Sequence, residues 1–167
     1  MDEAGPVSAP EVEALSLDDA ASHLLEECRT IVPGVQAVFG FQLIAVFNQG
    51  FGEKLSVGEQ RLHLAAIALV VVAMALVMAP AALHRQAEPR SVSDRFLVAA
   101  SRMLLWSLAP LALGLCLDVY LVARVVLGAG TIAAALAAVL LAVLGTFWYA
   151  LPRWLHAQWS DHGRRDG

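Results

Sequence analysis

The sequence predicts an all-α fold, a four-helix transmembrane bundle with both termini cytoplasmic and a short N-terminal amphipathic helix. Three observations carry this. The composition is the first: of 167 residues, 59% are hydrophobic and 16% charged, too apolar for an ordinary soluble domain. The second is four long apolar runs joined by short polar links. Only helices and closed barrels satisfy every backbone N–H and C=O in lipid, and these runs have helical length. The third is the distribution of basic residues. Arg29, Arg85, Arg90, Arg95, Arg153, Arg164 and Arg165 fall on the side of the N-terminus, the second link and the C-terminus, against Lys54, Arg61 and Arg124 on the other. That excess places both termini in the cytoplasm. A single domain fits the length.

Residues 1–15 are acidic and contain Pro6, Pro10 and Gly5, which predicts a disordered N-terminus. The transmembrane domain is expected over 16–155. Ser16 and Asp19 have capping-box spacing, so a helix is expected near Leu17. Leu17, Leu24, Leu25, Cys28 and Ile31 share one face of it, lying on the membrane surface or leading into the first span. That span is read at about 30–51. Pro33 either sits in the first turn of a new segment or kinks a continuous helix.

Ser56 and Glu59 form a capping box that starts the second helix at about Val57, with its span at about 62–84. Ser91 and Asp94 repeat the pattern before the third span, about 96–118, which places Asp118 at its outer end. A link is expected around Tyr120 to Gly130, and the fourth span at about 126–151. Trp148, Tyr149, Trp154 and Trp159 crowd its end as an interfacial belt does. A polar tail, 156–167, completes the chain. No basic-then-apolar leader opens the sequence, which predicts a cytoplasmic start. No internal repeat is visible.

Several function classes are excluded by what the chain carries. Eight of the fifteen acidic residues precede Arg29, and basic residues are not interleaved with aromatics, which argues against nucleic-acid binding. The pattern holds no H-E-x-x-H, G-x-S-x-G or phosphate loop, so no enzyme is expected. Cys28 and Cys116 fall near opposite membrane faces, too far apart to bridge, and neither has metal-ligand spacing. No metal or other cofactor is expected.

One polar group stands out on the cytoplasmic side. Gln36 is seven residues after Arg29, two turns deeper on the same face. Arg102 enters the third span to a similar depth, and Glu26, Glu27 and His84 lie just above. Glu27, Arg29, Gln36, His84 and Arg102 are the candidate polar or ion site. It reads either as a charge-lined vestibule that responds to protons or as a salt-bridged, snorkelling arginine. In the outer half, Gln42, Asn48, Gln49, His63 and Asp118 form a second set, read as a continuing path or as interhelical hydrogen-bond glue. Gly130, Ala134, Ala138 and Ala142 recur every four residues on the fourth span, a candidate helix-packing face within the bundle or between copies.

Glu27-x-Arg29, Pro33-Gly34-x-Gln36, Phe39-x-Phe41, Phe47 and the later Ala79-Pro80-Ala81-Ala82-x-His84-Arg85 together carry a resemblance. Over residues 24 to 105 the chain resembles a family of small bacterial four-helix inner-membrane proteins, catalogued as a domain of unknown function. Some members are labelled sodium/proton antiporters. The resemblance implies the fold and a multi-pass place in a bacterial inner membrane, and says little about chemistry. Two expectations follow. Either the chain acts by assembling, as a homo-oligomer or with a membrane-protein partner, or it conducts a proton or cation through the cytoplasmic-side cluster. The bilayer is a partner in both.

Overall fold

The first long helix, α1, opens where Ser16 caps it. The computed structural model describes residues 16–87 and 93–162, so the acidic start and the tail beyond His162 lie outside the described residues. The Ser16 hydroxyl accepts from the Asp19 N–H at 3.2 Å and donates to the Asp19 carboxylate at 2.6 Å. From there α1 runs unbroken over Leu17–Val46 with Pro33 inside it. The amphipathic segment and the first span are therefore one helix. Pro33 is thus interior to a continuous helix and does not open a new segment.

The first long helix ends at Val46, earlier than the expected 51. Phe47 caps α1, the Asn48 side chain accepts from the Gly50 N–H at 3.1 Å, and a short helix, α2, covers Gly50–Lys54. The capping box at Ser56 forms in both directions. The Ser56 N–H donates to Glu59 Oε2 at 2.8 Å, and the Glu59 N–H donates to Ser56 Oγ at 3.4 Å. Helix α3 follows over Val57–Ala87.

Helix α4 spans Asp94–Leu127. Its cap is Ser93, whose hydroxyl accepts from the Phe96 N–H at 3.2 Å. Ser91, the cap expected from spacing, lies outside the described residues. The expected link at Tyr120–Gly130 is largely helix. What stops α4 is Gly128, at φ 69°, a left-handed conformation that glycine adopts without steric cost. Ala129 alone then separates it from α5, Gly130–Gly145. This correction has a consequence: Asp118 lies nine residues inside α4, about 14 Å from its end at 1.5 Å per residue.

A five-residue π-helical turn, Thr146–Ala150, joins α5 to α6, Leu151–His162. Pro152 has no N–H to offer the Trp148 carbonyl, which accounts for the irregular turn there. The four long helices, Asp19–Val46, Val57–Gln86, Asp94–Leu127 and Gly130–Gln158, are long and apolar enough to cross a membrane.

Helices α3 and α4 form the central pair, with α1 laid against α3 and α5 against α4. Buried positions recur at alternating spacings of three and four. On α3 they are His63, Ala66, Val70, Ala73, Val77 and Pro80, and on α4 they include Ala100, Leu104, Ser107, Leu111 and Gly114. This is the knobs-into-holes pattern of antiparallel bundles. Small residues on the seam bring the backbones close: a Cβ on Gly114 would lie 3.0 Å from Val70 Cγ2 and 3.2 Å from the Ala66 carbonyl. The mid-bundle core is Val35, Val70, Ala73 and Leu111, with Trp148 against it. Cys28 and Cys116 are both buried and unpaired. Phe41, Phe47, Trp106 and Val126 face outward, as side chains that meet lipid do.

Candidate functional site

Three seam positions near the α2 end of the bundle hold polar side chains instead of apolar ones. Gln42 continues the inward face of α1 four residues after Val38, His63 continues that of α3, and Asp118 that of α4. The three meet. Gln42 Nε2 donates to Asp118 Oδ2 at 2.7 Å, and His63 Nδ1 stands 3.4 Å from Asp118 Oδ1. His63 Nε2 lies 3.0 Å from the Gln42 backbone carbonyl. Gln42 is 4% and His63 6% exposed. Phe51, from α2, sets its ring edge-on to the imidazole with centroids 5.3 Å apart.

This geometry fixes the tautomer of a neutral His63. A backbone carbonyl only accepts, so His63 Nε2 carries a hydrogen and donates to Gln42 O. In a neutral ring that leaves Nδ1 as a lone-pair acceptor, facing the carboxylate oxygen Oδ1. A proton on either group would join them, as an imidazolium–carboxylate ion pair or as a carboxylic acid that donates to the ring.

Two acceptors remain open. Gln42 Oε1 and Asp118 Oδ1 are buried and have no hydrogen-bond partner. Both residues line a cleft of about 510 Å³, with Val38, Phe41, Leu121 and Val125 among its apolar walls and exposed Asn48 and Lys54 along its edge. Phe51 and His63 line this cleft and a second of about 300 Å³ that includes Gln60 and Arg61.

The cluster is roofed by a polar layer at the helix ends. Arg124 Nε lies 3.5 Å from Glu59 Oε1, and Arg124 Nη1 donates to the Gly128 carbonyl at 3.1 Å. Asp118 lies six residues, or about 9 Å, below that pair along α4.

A family model described as Family of unknown function (DUF6328) matches residues 10–152. The chain belongs to this family. The DUF6328 match takes in all four long helices almost to their end, and so extends well past the motifs at 24 to 105. No curated protein and no solved structure matches the chain.

The candidate site residues at the other end of this DUF6328 chain's bundle are arranged differently from the cluster. Glu27, Arg29 and Gln36 on α1 and Arg102 on α4 are all exposed. His84 is half-buried at the end of α3, tilted against Phe96 at 5.5 Å between ring centroids, with Nδ1 buried and unbonded. No hydrogen bond or ion pair joins any two of these five residues. The small-residue series divides as well. Gly130 packs near Arg124 and Tyr120, whereas Ala134, Ala138 and Ala142 face outward. A four-residue step advances about 40° beyond a full turn, so a series that starts on the seam rotates off it.

The sequence reading placed Gln42, His63 and Asp118 in one half of the bundle without bringing them together. The available signal was the three-four seam itself. Each of the three falls where the next apolar seam residue is due.

Proposed function

We propose that the protein is a multi-pass, non-enzymatic protein of a bacterial inner membrane, both termini cytoplasmic, that handles protons at the His63–Asp118 pair and moves them across the bilayer. The His63 ring nitrogen and the Asp118 carboxylate, facing each other across 3.4 Å inside the bundle, support this reading most strongly. An ionisable pair below the level of the polar helix ends is costly to keep in a membrane and is a functional candidate by default. The pair also borders a cleft with an exposed edge, which offers the proton a route to water. On this reading proton or cation conduction runs through the outer half, away from the cytoplasmic-side cluster of Glu27, Arg29, Gln36, His84 and Arg102.

The test is proton flux in liposomes that hold the purified chain and a pH-sensitive dye. Asp118→Asn is expected to remove flux above empty liposomes, while Arg102→Ala and Gln36→Leu retain it. Flux that survives Asp118→Asn, or is lost in Arg102→Ala instead, would overturn the assignment.

A second reading, assembly with another copy or a membrane partner, draws support from one observation. Among the described residues of α5 only Ala133 is buried, which leaves the outward alanines available for a close helix contact.

A further inference from the structure

We propose that the 510 Å³ cleft binds a lipophilic primary amine in its protonated form, its ammonium N–H groups donating to Gln42 Oε1 and Asp118 Oδ1. The inference rests on the proton reading above and names what the same site takes in exchange. It starts from the two open acceptors. A buried carbonyl and a buried carboxylate oxygen without donors leave a deficit of N–H or O–H groups, and such groups cost free energy until they are satisfied. The Gln42 amide is nine-tenths buried, and both residues line the cleft. A ligand seated there must therefore bring donors.

The walls select the rest of the ligand. Val38, Phe41, Phe51 and Leu121 suit an apolar body, and aromatic faces suit an ammonium. The volume falls within the roughly 300–1,000 Å³ of small-molecule sites. A hard metal ion fits poorly, since it takes six or more oxygens and the walls supply few. A neutral alcohol would bring a donor but would leave the carboxylate charge uncompensated once the pair loses its proton. A monocationic amine brings both.

The charges balance simply. A His63–Asp118 pair that carries one proton has no net charge. When the ammonium arrives, that proton leaves by the exposed edge, so one cation is exchanged for another and the site keeps the same net charge. The ionisable groups around the cleft are Asp118 on α4, His63 on α3 and Lys54 on α2, with α1 contributing only the amide of Gln42. Lys54 is exposed, so its charge is screened by water.

The test is calorimetry on the full chain in nanodiscs, with 4-phenylbutylamine as probe, 4-phenylbutanol as neutral control, and empty nanodiscs subtracted. The amine is expected to bind at least about tenfold more tightly than the alcohol, and its heat to vary between buffers in proportion to one released proton. Asp118→Asn should erase the preference. Val122→Trp, an outward position lining the cleft, should block the amine while the ligand-free pair still titrates in the infrared carboxyl band. Equal binding of amine and alcohol, unchanged binding in Val122→Trp, or binding without proton release would each overturn the inference. Any of these beside a titrating Asp118 band would leave the proton reading standing, and an Asp118 band that never titrates would overturn both.

Discussion

Gln36 and Gln42 sit on one helix, six residues apart, and that spacing sets their roles. Six residues turn a helix by about 600°, which leaves the two amides on widely separated faces. Gln36 points outward, while Gln42 falls on the seam and donates to Asp118 at 2.7 Å. Gln42→Leu would strip the carboxylate of its one side-chain amide donor inside the bundle. The expected loss is about 1–3 kcal/mol, the range for an unsatisfied buried group, read as a lower midpoint of unfolding in detergent. Gln36→Leu is expected to stay within about 0.5 kcal/mol of the parent, as an outward substitution that breaks no bond. Equal effects from the two would mean that the polar cluster contributes no more to folding than a lipid-facing amide.

At the scale of the helices, the tightest joint is Gly114 on α4. Glycine inside a helix costs up to about 1 kcal/mol relative to alanine, so propensity alone favours Gly114→Ala. The packing opposes it: the added methyl would stand 3.0 Å from Val70 Cγ2 and 3.2 Å from the Ala66 backbone carbonyl. The side chain can shift, but the carbonyl belongs to a helix held along its length. Overpacking of this kind costs about 1–3 kcal/mol, so Gly114→Ala is expected to lower the unfolding midpoint. Adding Val70→Ala should recover only part of the loss, because the backbone contact remains. The same joint explains what was legible in the sequence. The helix starts at Ser16 and Ser56 are local, each fixed by a cap and a partner three residues on, and both form. The end of α4 was not, because Arg124 looks like a link residue until its partner is known. That partner is Glu59, on another helix. The meeting of Gln42, His63 and Asp118 likewise depends on the register between three helices, which no single segment encodes.

For the molecule as a whole, the open question is which faces remain outward once the four helices have packed. Without a hydrophobic drive between helices in lipid, close contact of small residues is what holds them together. Helix α5 offers such a surface at Ala134, Ala138 and Ala142, all outward. The position of that surface along the membrane follows from topology. If both termini are cytoplasmic, as proposed above, Gly52→Cys on α2 is expected to react with a membrane-impermeant maleimide in intact cells, and Ser22→Cys on α1 only after permeabilisation. Both positions are exposed, and the native cysteines are buried. The reverse pattern would turn the polar cluster toward the cytoplasm. The surface itself is tested by Ala138→Leu. Leucine is nearly as good a helix former as alanine and points into lipid there, so the single chain should melt as before. Between copies, however, the larger side chain would force the backbones apart. The cross-linked dimer in liposomes is expected to fall by roughly tenfold, the factor that about 1.4 kcal/mol of lost packing gives. A parent chain that stays monomeric at every protein-to-lipid ratio would remove the assembly reading and leave proton handling as the work of one bundle.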